Sequence, residues 1–438
     1  MKSDYMLRNS VLVFSASLVA AIFSYLFNIF MARRLGPAEY GRLATVLSIF
    51  LFVSVSITVI GLIITRYTAY FKAKSQLYKV SQLLVASFKV LTLSGVVMLA
   101  VVLLLGGRLA GLLGLSMSHM ALLGILLLAF LVLSGFLAVL SGMQLFKSIG
   151  LIKILEAAMN LALGVVLVNI GLGSAGAVAA MAISTFLTIP ACIIALHDVL
   201  RVRKSDLGQL NLLSYLGKAA LFYSCLSLIL NIDIVIVKHF FSAQDAGFYA
   251  ATSMLGSLIF FVSSAVASII FPKAAELHSN GKSASHLLKL GMLYMILSSA
   301  AMSAALLLFP SQIVSRVFGP GYNITGIVGI YTVAMSFLGI ANILVVYHIA
   351  IKSFRKLKAL IPFAAAVFAG LLFVSKAASS GLLGGSLMPV VLFHLVADGL
   401  LLLSMLKDSE QELKEALSNK GGYLPAPYKN PFRFKEEF

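Results

Sequence analysis

Long apolar stretches dominate the sequence, and they constrain its fold more than any other feature. There are about 12 of them, each roughly 18–25 residues long, which is the length of an α-helix that crosses a membrane. None shows the alternation of apolar and polar residues that is typical of a transmembrane β-strand. Because backbone polar groups in lipid must be satisfied within a helix or a closed barrel, the pattern predicts an all-α fold. We therefore expect a polytopic bundle of about 12 transmembrane helices.

The composition excludes a soluble globular domain. Hydrophobic residues make up 61% of the chain and charged residues 11%, whereas soluble domains contain about 45–50% and about 25%. The 33 Lys and Arg residues exceed the 15 Asp and Glu residues, which gives a net charge of +18. Most of these basic residues lie in short loops between apolar stretches, where membrane topology explains them. No basic recognition helix accompanies them, so a nucleic-acid partner is not expected.

The predicted spans form two sets of six. The first set is 9–31, 43–64, 82–106, 118–141, 151–170 and 174–197. The second set is 214–237, 248–271, 288–309, 323–349, 359–377 and 385–405. Many of these stretches contain Gly and Ser, which allow membrane helices to approach one another closely.

Loop charges predict that both termini lie in the cytoplasm. With this orientation the inside loops carry most of the Lys and Arg residues, as the positive-inside rule requires. The exception is the first outside loop, which contains Arg33, Arg34 and Arg42. We therefore expect a multi-pass protein of the cytoplasmic membrane with an even number of spans.

An internal repeat relates the two sets of spans. The segment after the first span and the segment after the seventh share an acid-x-Gly-x-x-Ala pattern. Glu39 aligns with Asp245 and Gly41 with Gly247 at the same offset (245 − 39 = 247 − 41 = 206). Six helices are an even number, so both halves enter the membrane from the same side, and the repeat is parallel. Two such lobes usually enclose a central cavity that opens alternately to each side, which is the architecture of a transporter.

The repeat predicts three parts of the chain. These are an N-terminal six-helix lobe at 1–205, a C-terminal six-helix lobe at 206–406 and a cytoplasmic tail at 407–438. The end of the tail is rich in Pro, aromatic and basic residues, a composition typical of a segment without a packed core.

Four motifs resemble those of polysaccharide transporters, the O-antigen-type flippases of lipid-linked oligosaccharides. They are Arg33–Ala44, Ile64–Tyr67, Asn231–Asp233 with Ala246–Ala250, and Phe318–Tyr322. The sequence departs from this family in two respects: its first predicted helix has no acidic residue, and its tail does not match the family. The resemblance implies the fold of the multidrug/oligosaccharidyl-lipid/polysaccharide exporter superfamily. It also implies transport of a polyprenyl-diphosphate-linked glycan from the inner to the outer leaflet.

A diphosphate substrate requires cations along its path, because burying an unpaired charge is very costly. Arg binds phosphate in a bidentate manner, while Lys acts as a point charge. The candidate substrate-binding residues are Arg8, Arg33, Arg34, Arg66, Lys89, Lys153 and Lys218. The positive-inside rule explains Arg66 and Arg8 equally well, but it does not explain Arg33 and Arg34.

Polar and ionisable side chains within spans are costly in lipid and often functional. Lys153, Glu156 and Asn160 share one helical face, so they could line a cavity or form a locally neutralised pair. His394 and Asp398 are four residues apart and could share a proton or simply pair within the bundle. The polar and ion-coupling candidates are Asn28, Glu156, Asn160, Asn231, Asp233, His394 and Asp398.

Three functions remain open at the level of sequence. The first is a glycan-lipid flippase, with membrane lipids, the glycan lipid and a glycan polymerase or ligase as partners. The second is a cation-coupled multidrug antiporter, which requires a buried acid in the first lobe, where Glu156 is the one candidate. The third is a non-transporting scaffold in a glycan assembly complex, which predicts a collapsed apolar cavity. The sequence has no phosphate-binding Gly-rich loop, catalytic triad or metal-ligand spacing, so we expect neither an enzyme nor a cofactor.

Overall fold

The computed structural model of the protein contains α-helices and no strand among the residues that the structure describes. Those residues are 2–201, 213–279, 283–351, 353–410, 412 and 414, with side chains described for most of 15–201 and for most positions from 221 onward. The helices are α1 (Lys2–Ala73), α2 (Leu77–Leu113), α3 (Met117–Gly142), α4 (Phe146–Leu167), α5 (Gly173–Ala195), α6 (His197–Leu200), α7 (Leu213–Phe240), α8 (Ala243–Ser279), α9 (Ser285–Leu308), α10 (Pro310–Val317), α11 (Thr325–Ala350), α12 (Leu360–Ser379) and α13 (Met388–Asp408). The predicted all-α fold class is confirmed.

Two of the long helical stretches contain breaks at glycine. Within α1, Gly36 has a φ of 72° and is followed by Pro37, so α1 is two helices joined at this point. Between α4 and α5, the π-helical segment Val168–Leu172 contains Gly171 with a φ of 97°. Only glycine adopts such left-handed angles without strain. Both breaks lie where the sequence predicts a turn between two spans.

The number of apolar helices agrees with the predicted spans. Within the described residues, nine helical stretches are long and apolar enough to cross a membrane. Two of them, Ser15–Ser54 and Phe146–Ala195, each contain parts of two predicted spans, which raises the count to eleven (9 + 2). The helix α7 contains the remaining predicted span, 214–237.

Packing divides the chain into two compact units. Unit 1 consists of Met1–Ala251, Val314–Ile324 and Leu371–Gly385, and unit 2 consists of Thr252–Ile313, Thr325–Gly370 and Ser386–Phe438. Unit 1 therefore includes α7 and the beginning of α8. The predicted lobe limits near residue 205 and at the tail stay predictions.

The core of unit 1 is built around α3, which is largely buried along its length. Its glycines allow neighbouring helices to approach closely. A Cβ atom on Gly124 would lie 2.5 Å from the side chain of Leu99, and one on Gly142 would overlap Thr68. No hydrophobic driving force acts between helices in lipid, so van der Waals packing must hold them together. Small residues at such positions allow that close packing.

The core of unit 2 is built around α11, which is buried along nearly its whole length. A Cβ atom on Gly329 would lie 2.5 Å from Leu307, and one on Gly339 would lie 2.5 Å from Met295. In each unit the most deeply buried helix thus contains the fourth predicted span of its set of six. This correspondence agrees with the predicted repeat.

In contrast to the buried helices α3 and α11, α2 exposes a strongly apolar outward face. Leu104 is 83% exposed, and Val90 and Leu93 are also largely exposed. A helix with this surface requires lipid as its solvent.

Candidate functional site

A partly buried polar network joins three turns of unit 1 at one end of its helices. Glu39 pairs with Arg42 and accepts hydrogen bonds from the backbone N–H, at 3.2 Å, and the hydroxyl of Ser174. The Nε2 atom of His119 lies 2.8 Å from the Ser174 hydroxyl, and its Nδ1 lies 2.6 Å from the hydroxyl of Ser116. We call these five residues the turn junction. It connects the turn after Gly36, the start of α3 and the start of α5, an end that the predicted topology places outside.

Local sequence explains where the turn junction forms. Glu39 lies in the first turn after the Gly36 break of α1, and Ser174 is the second residue of α5, after Gly173, whose φ is 56°. Carboxylates are stabilised near helix N-termini, where free backbone N–H groups point outward. The Glu39 carboxylate therefore lies in the first turn of its own helix and accepts a hydrogen bond from the first turn of α5.

The two repeated acid-x-Gly patterns pack against each other within unit 1. A Cβ atom on Gly41 would lie 2.8 Å from the backbone nitrogen of Gly247, and a Cβ atom on Gly247 would overlap the carbonyl oxygen of Pro37. The glycines that the sequence aligns therefore face each other. Their pairing shows why both positions lack a side chain.

The segment Phe318–Tyr322 contacts both α1, just before the Gly36 break, and the start of α8. The Tyr322 hydroxyl donates a 2.7 Å hydrogen bond to the carbonyl of Ala32, and its ring packs edge-to-face against Phe248. Burial raises the pKa of this hydroxyl, so it remains a neutral donor. Three of the four family-like motifs thus meet in one place.

Replacing Tyr322 with phenylalanine should lower the stability of the protein by about 1–2 kcal/mol, because the carbonyl of Ala32 would lose its buried partner. The ring contacts would remain. The thermal unfolding midpoint of the purified protein in detergent measures the effect. Tyr294→Phe is the matched control, since the Tyr294 side chain is 62% exposed. Equal midpoints for the two variants would contradict the role of this hydrogen bond.

The predicted outside cations have different environments. Arg33 donates from Nε to the carbonyl of Val317 at 2.7 Å and from Nη2 to the carbonyl of Arg316. It therefore caps the C-terminal end of α10, a structural role that explains a basic residue at a position that the predicted topology places outside. Arg34 is exposed and makes no hydrogen bond or ion pair with another described residue.

Within the described residues, the other candidate cations share no hydrogen-bond or ion-pair partner. Arg66, Lys89 and Lys153 are exposed, and none makes a hydrogen bond or an ion pair within the described part of the chain. The side chains of Arg8 and Lys218 lie outside the described residues. The assignment of these cations to substrate binding stays a prediction.

The polar residues of the fifth span are held by its neighbour. Thr185 on α5 donates a 3.0 Å hydrogen bond to Oε1 of Glu156, while Lys153 acts on Glu156 only electrostatically. The buried Oδ1 of Asn160 accepts no hydrogen bond from a described residue. In the first span, Asn28 donates to the carbonyl of Ser24 at 2.9 Å, one turn back in its own helix.

The polar residues of the seventh span make contacts within unit 1. The fully buried Asp233 accepts a 2.9 Å hydrogen bond from the hydroxyl of Tyr249 and another from the backbone of Ile234. Asn231 donates to the carbonyl of Ser227 at 2.9 Å. Asp233 therefore joins α7 to the beginning of α8.

Unit 2 contains a buried ionisable pair on α13. Nδ1 of His394 lies 3.7 Å from Oδ2 of Asp398, and both side chains are completely buried. The ring of Tyr331 on α11 packs edge-to-face against His394, with ring centroids 5.8 Å apart. The Tyr331 hydroxyl donates to the hydroxyl of Ser253 at 3.1 Å.

Sequence reasoning missed several residues of these networks. Ser174 carries a weak signal, since a serine after a glycine turn is a frequent helix cap. Nothing in the sequence links His119 to Ser174, which is 55 residues away. Among the described residues, no group of three or more His, Cys, Asp or Glu could hold a metal ion.

Comparison with known proteins decides the family. Residues 30–327 match the family of polysaccharide biosynthesis proteins. The chain belongs to this family. The match spans all four motifs of the sequence analysis, so the predicted family is confirmed. No curated protein sequence matches the chain.

Solved transporter structures show the same fold as this member of the polysaccharide biosynthesis family. An inward-facing multidrug resistance MATE family transporter of the MOP superfamily superposes with a TM-score of 0.71 at 14% identity, covering 90% of this chain and 96% of that chain. An outward-facing one gives 0.65 at 14% identity, covering 93% and 96%. A MOP superfamily transporter from Pyrococcus furiosus, described as having a binding pocket of reverse polarity, gives 0.64 at 15% identity, covering 93% and 96%. The chain therefore has the fold of these transporters, with helices that are long and apolar enough to cross a membrane.

Proposed function

We propose that the protein is a flippase that moves a polyprenyl-diphosphate-linked oligosaccharide across the cytoplasmic membrane by alternating access of two lobes. Both termini lie in the cytoplasm, and the partners are membrane lipids, the glycan lipid and a glycan polymerase or ligase. No catalytic step belongs to this function. The energy comes from an ion gradient, the membrane potential or consumption of the flipped lipid.

The observation that carries this proposal is the contrast between accessible cations and occupied acids. Arg66, Lys89 and Lys153 are exposed and make no ion pair with a described residue. Such side chains are available to an anionic diphosphate, which must be paired wherever it leaves water.

The acids of the predicted spans are each held by a protein group. Thr185 binds Glu156, Tyr249 binds Asp233, and His394 pairs with Asp398. A cationic substrate would instead favour accessible carboxylates. This distribution of charge supports an anionic substrate, in agreement with the family.

Alanine at Lys153, Arg66 or Lys89 should slow the flipping of lipid-linked oligosaccharide by about tenfold each, the loss expected for one charge-assisted contact to phosphate. The measurement is the inner-leaflet accumulation of this lipid in cells that lack the protein, and its removal when each variant is expressed. Lys376→Ala, at an exposed lysine of α12, is the matched control and should rescue fully. Full rescue by both Lys153→Ala and Arg66→Ala would show that these cations do not bind the substrate.

A cation-coupled multidrug antiporter is the second candidate, because multidrug transporters share the fold. Purified protein in proteoliposomes distinguishes the two. Two results together would favour the antiporter. The purified protein would exchange a cationic dye against a sodium or proton gradient, and cells that lack the protein would not accumulate glycan lipid. A deletion that disrupts glycan assembly while the protein transports neither substrate would favour the scaffold.

A further inference from the structure

Lys238 is a buried cation for which the surrounding protein provides no dedicated counter-charge. It lies near the C-terminal end of α7 and is only 6% exposed. It makes no hydrogen bond or ion pair with any other residue that the structure describes. A Cβ atom on Gly114, at the end of α2, would lie 3.9 Å from its Nζ atom. The Lys238 side chain is therefore largely covered by protein next to the turn junction.

The charges nearest to Lys238 do not balance it. The guanidinium of Arg42 and the carboxylate of Glu39 both act on it electrostatically, with opposite sign. Glu39 is already occupied, since Oε1 pairs with Arg42 and Oε2 accepts two hydrogen bonds from Ser174. Two cations thus share one carboxylate whose oxygens are taken.

The remaining groups of the turn junction add no negative charge. Both ring nitrogens of His119 lie within hydrogen-bond distance of serine hydroxyls, at 2.6 Å and 2.8 Å. The Nε atom of Arg42 is buried and donates no hydrogen bond to a described residue. The nearby His239 is engaged through its Nδ1 with the carbonyl of Leu112 at 2.8 Å. The cluster therefore keeps one excess positive charge and an unused guanidinium donor.

A buried cation without a counter-charge costs free energy, so its presence calls for a ligand or a further partner. We propose that Arg42 and Lys238 form an anion-binding site at this end of unit 1, and that the site takes a phosphate group. Arg42 supplies the planar donor group that suits phosphate, and Lys238 supplies a point charge. The Arg42 side chain is 39% exposed, so an anion can reach the cluster from solvent. The site also explains why Arg42 departs from the positive-inside rule.

This inference goes beyond the proposed function and does not require it. The phosphate could belong to a lipid headgroup or be dissolved in water, because both present the same anionic oxygens. A binding experiment without any transport step tests the site, so its failure and the failure of the flippase proposal are separate results.

The test is thermal unfolding of the purified full-length protein in detergent, in sodium phosphate and in sodium chloride of equal ionic strength. We expect phosphate to raise the midpoint of the wild type by several degrees, since a ligand that binds the folded state stabilises it. Lys238→Met should lose this shift. In chloride it should unfold at the same temperature as the wild type or higher, because an unpaired buried cation has been removed. Lys238→Gln provides a second variant that keeps a polar side chain.

The matched control is Lys376→Met, which changes an exposed lysine and should keep the full phosphate shift. Equal wild-type midpoints in phosphate and chloride would overturn the proposal. So would a phosphate shift that survives in both Lys238 variants. A Lys238→Met variant that unfolds earlier in chloride, without a phosphate shift in the wild type, would instead make Lys238 a structural partner of Glu39.

Nanodiscs distinguish the two sources of phosphate. The wild type and Lys238→Met are compared in phosphatidylcholine with and without phosphatidic acid, whose headgroup is a phosphate monoester. A stabilisation by phosphatidic acid that Lys238→Met loses assigns the site to a lipid headgroup. Stabilisation by dissolved phosphate alone assigns it to a free anion. No stabilisation by either overturns the proposal.

Discussion

Replacing Gly247 with alanine should prevent the protein from accumulating in a folded form. The added Cβ atom would overlap the carbonyl oxygen of Pro37, and backbone atoms cannot move aside as a flexible side chain can. Overpacking typically costs about 1–3 kcal/mol, and a clash between two backbones lies at or above the upper end of that range. The yield of monodisperse protein after detergent extraction and its unfolding midpoint measure the effect. Gly41→Ala should be less severe, because its Cβ atom would lie 2.8 Å from the nitrogen of Gly247.

The control for this prediction uses a helical glycine in open space. A Cβ atom on Gly111 in α2 would meet no atom within 4 Å. Helix propensity alone favours Ala over Gly by about 1 kcal/mol, so Gly111→Ala should leave the midpoint unchanged or raise it. The two substitutions are chemically the same and should have opposite signs. If Gly247→Ala behaved like Gly111→Ala, the two repeated segments would not be packed as closely as the structure shows.

Replacing Asp398 with leucine should lower the stability of the protein by about 3–5 kcal/mol, because breaking a buried pair by removing one partner is strongly destabilising. His394 and Asp398 are both completely buried, with 3.7 Å between Nδ1 and Oδ2. Replacing both residues with leucine should recover most of this loss, since an apolar pair needs no compensation. Unfolding midpoints of the two single variants and the double variant form a double-mutant cycle that isolates the coupling.

The chain offers a matched pair for comparison. Glu410 and Lys414 have the same spacing of four residues on a helical segment, but their side chains are 62% and 73% exposed. Glu410→Gln should leave the midpoint unchanged, because water replaces the lost contact. Additive effects of the single substitutions at His394 and Asp398 would show that the two side chains are not coupled.

The apolar pattern predicted much of the fold. The spans at 82–106 and 118–141 lie within α2 and α3, and the gap between the predicted spans 151–170 and 174–197 contains the glycine break between α4 and α5. These predictions succeed because lipid requires each span to satisfy its own backbone within one helix. The short helix α10 was not predicted, because its eight residues do not form an apolar stretch long enough to indicate a membrane span.

The contacts of the candidate site were harder to predict from the sequence than the fold was. Spacing alone placed Lys153 and Glu156 on one helical face, but the hydrogen-bond partner of Glu156 is Thr185, on the next helix. Spacing also gave no partner for Asp233, which accepts a hydrogen bond from Tyr249 at the beginning of α8. Periodicity reports which residues share a helical face, but it does not report which neighbouring helix covers that face.

The sequence by itself determined the all-helical class and the polysaccharide family, and it predicted that the two halves repeat. Hydrophobic length and local motifs are properties of contiguous residues, so they can be read without a structure. Only the tertiary structure decided that Gly41 meets Gly247, that Arg33 caps α10 and that the mostly buried Lys238 lies near Arg42. These contacts join residues that are far apart in the chain, and the cost of burying a charge depends on which groups then surround it.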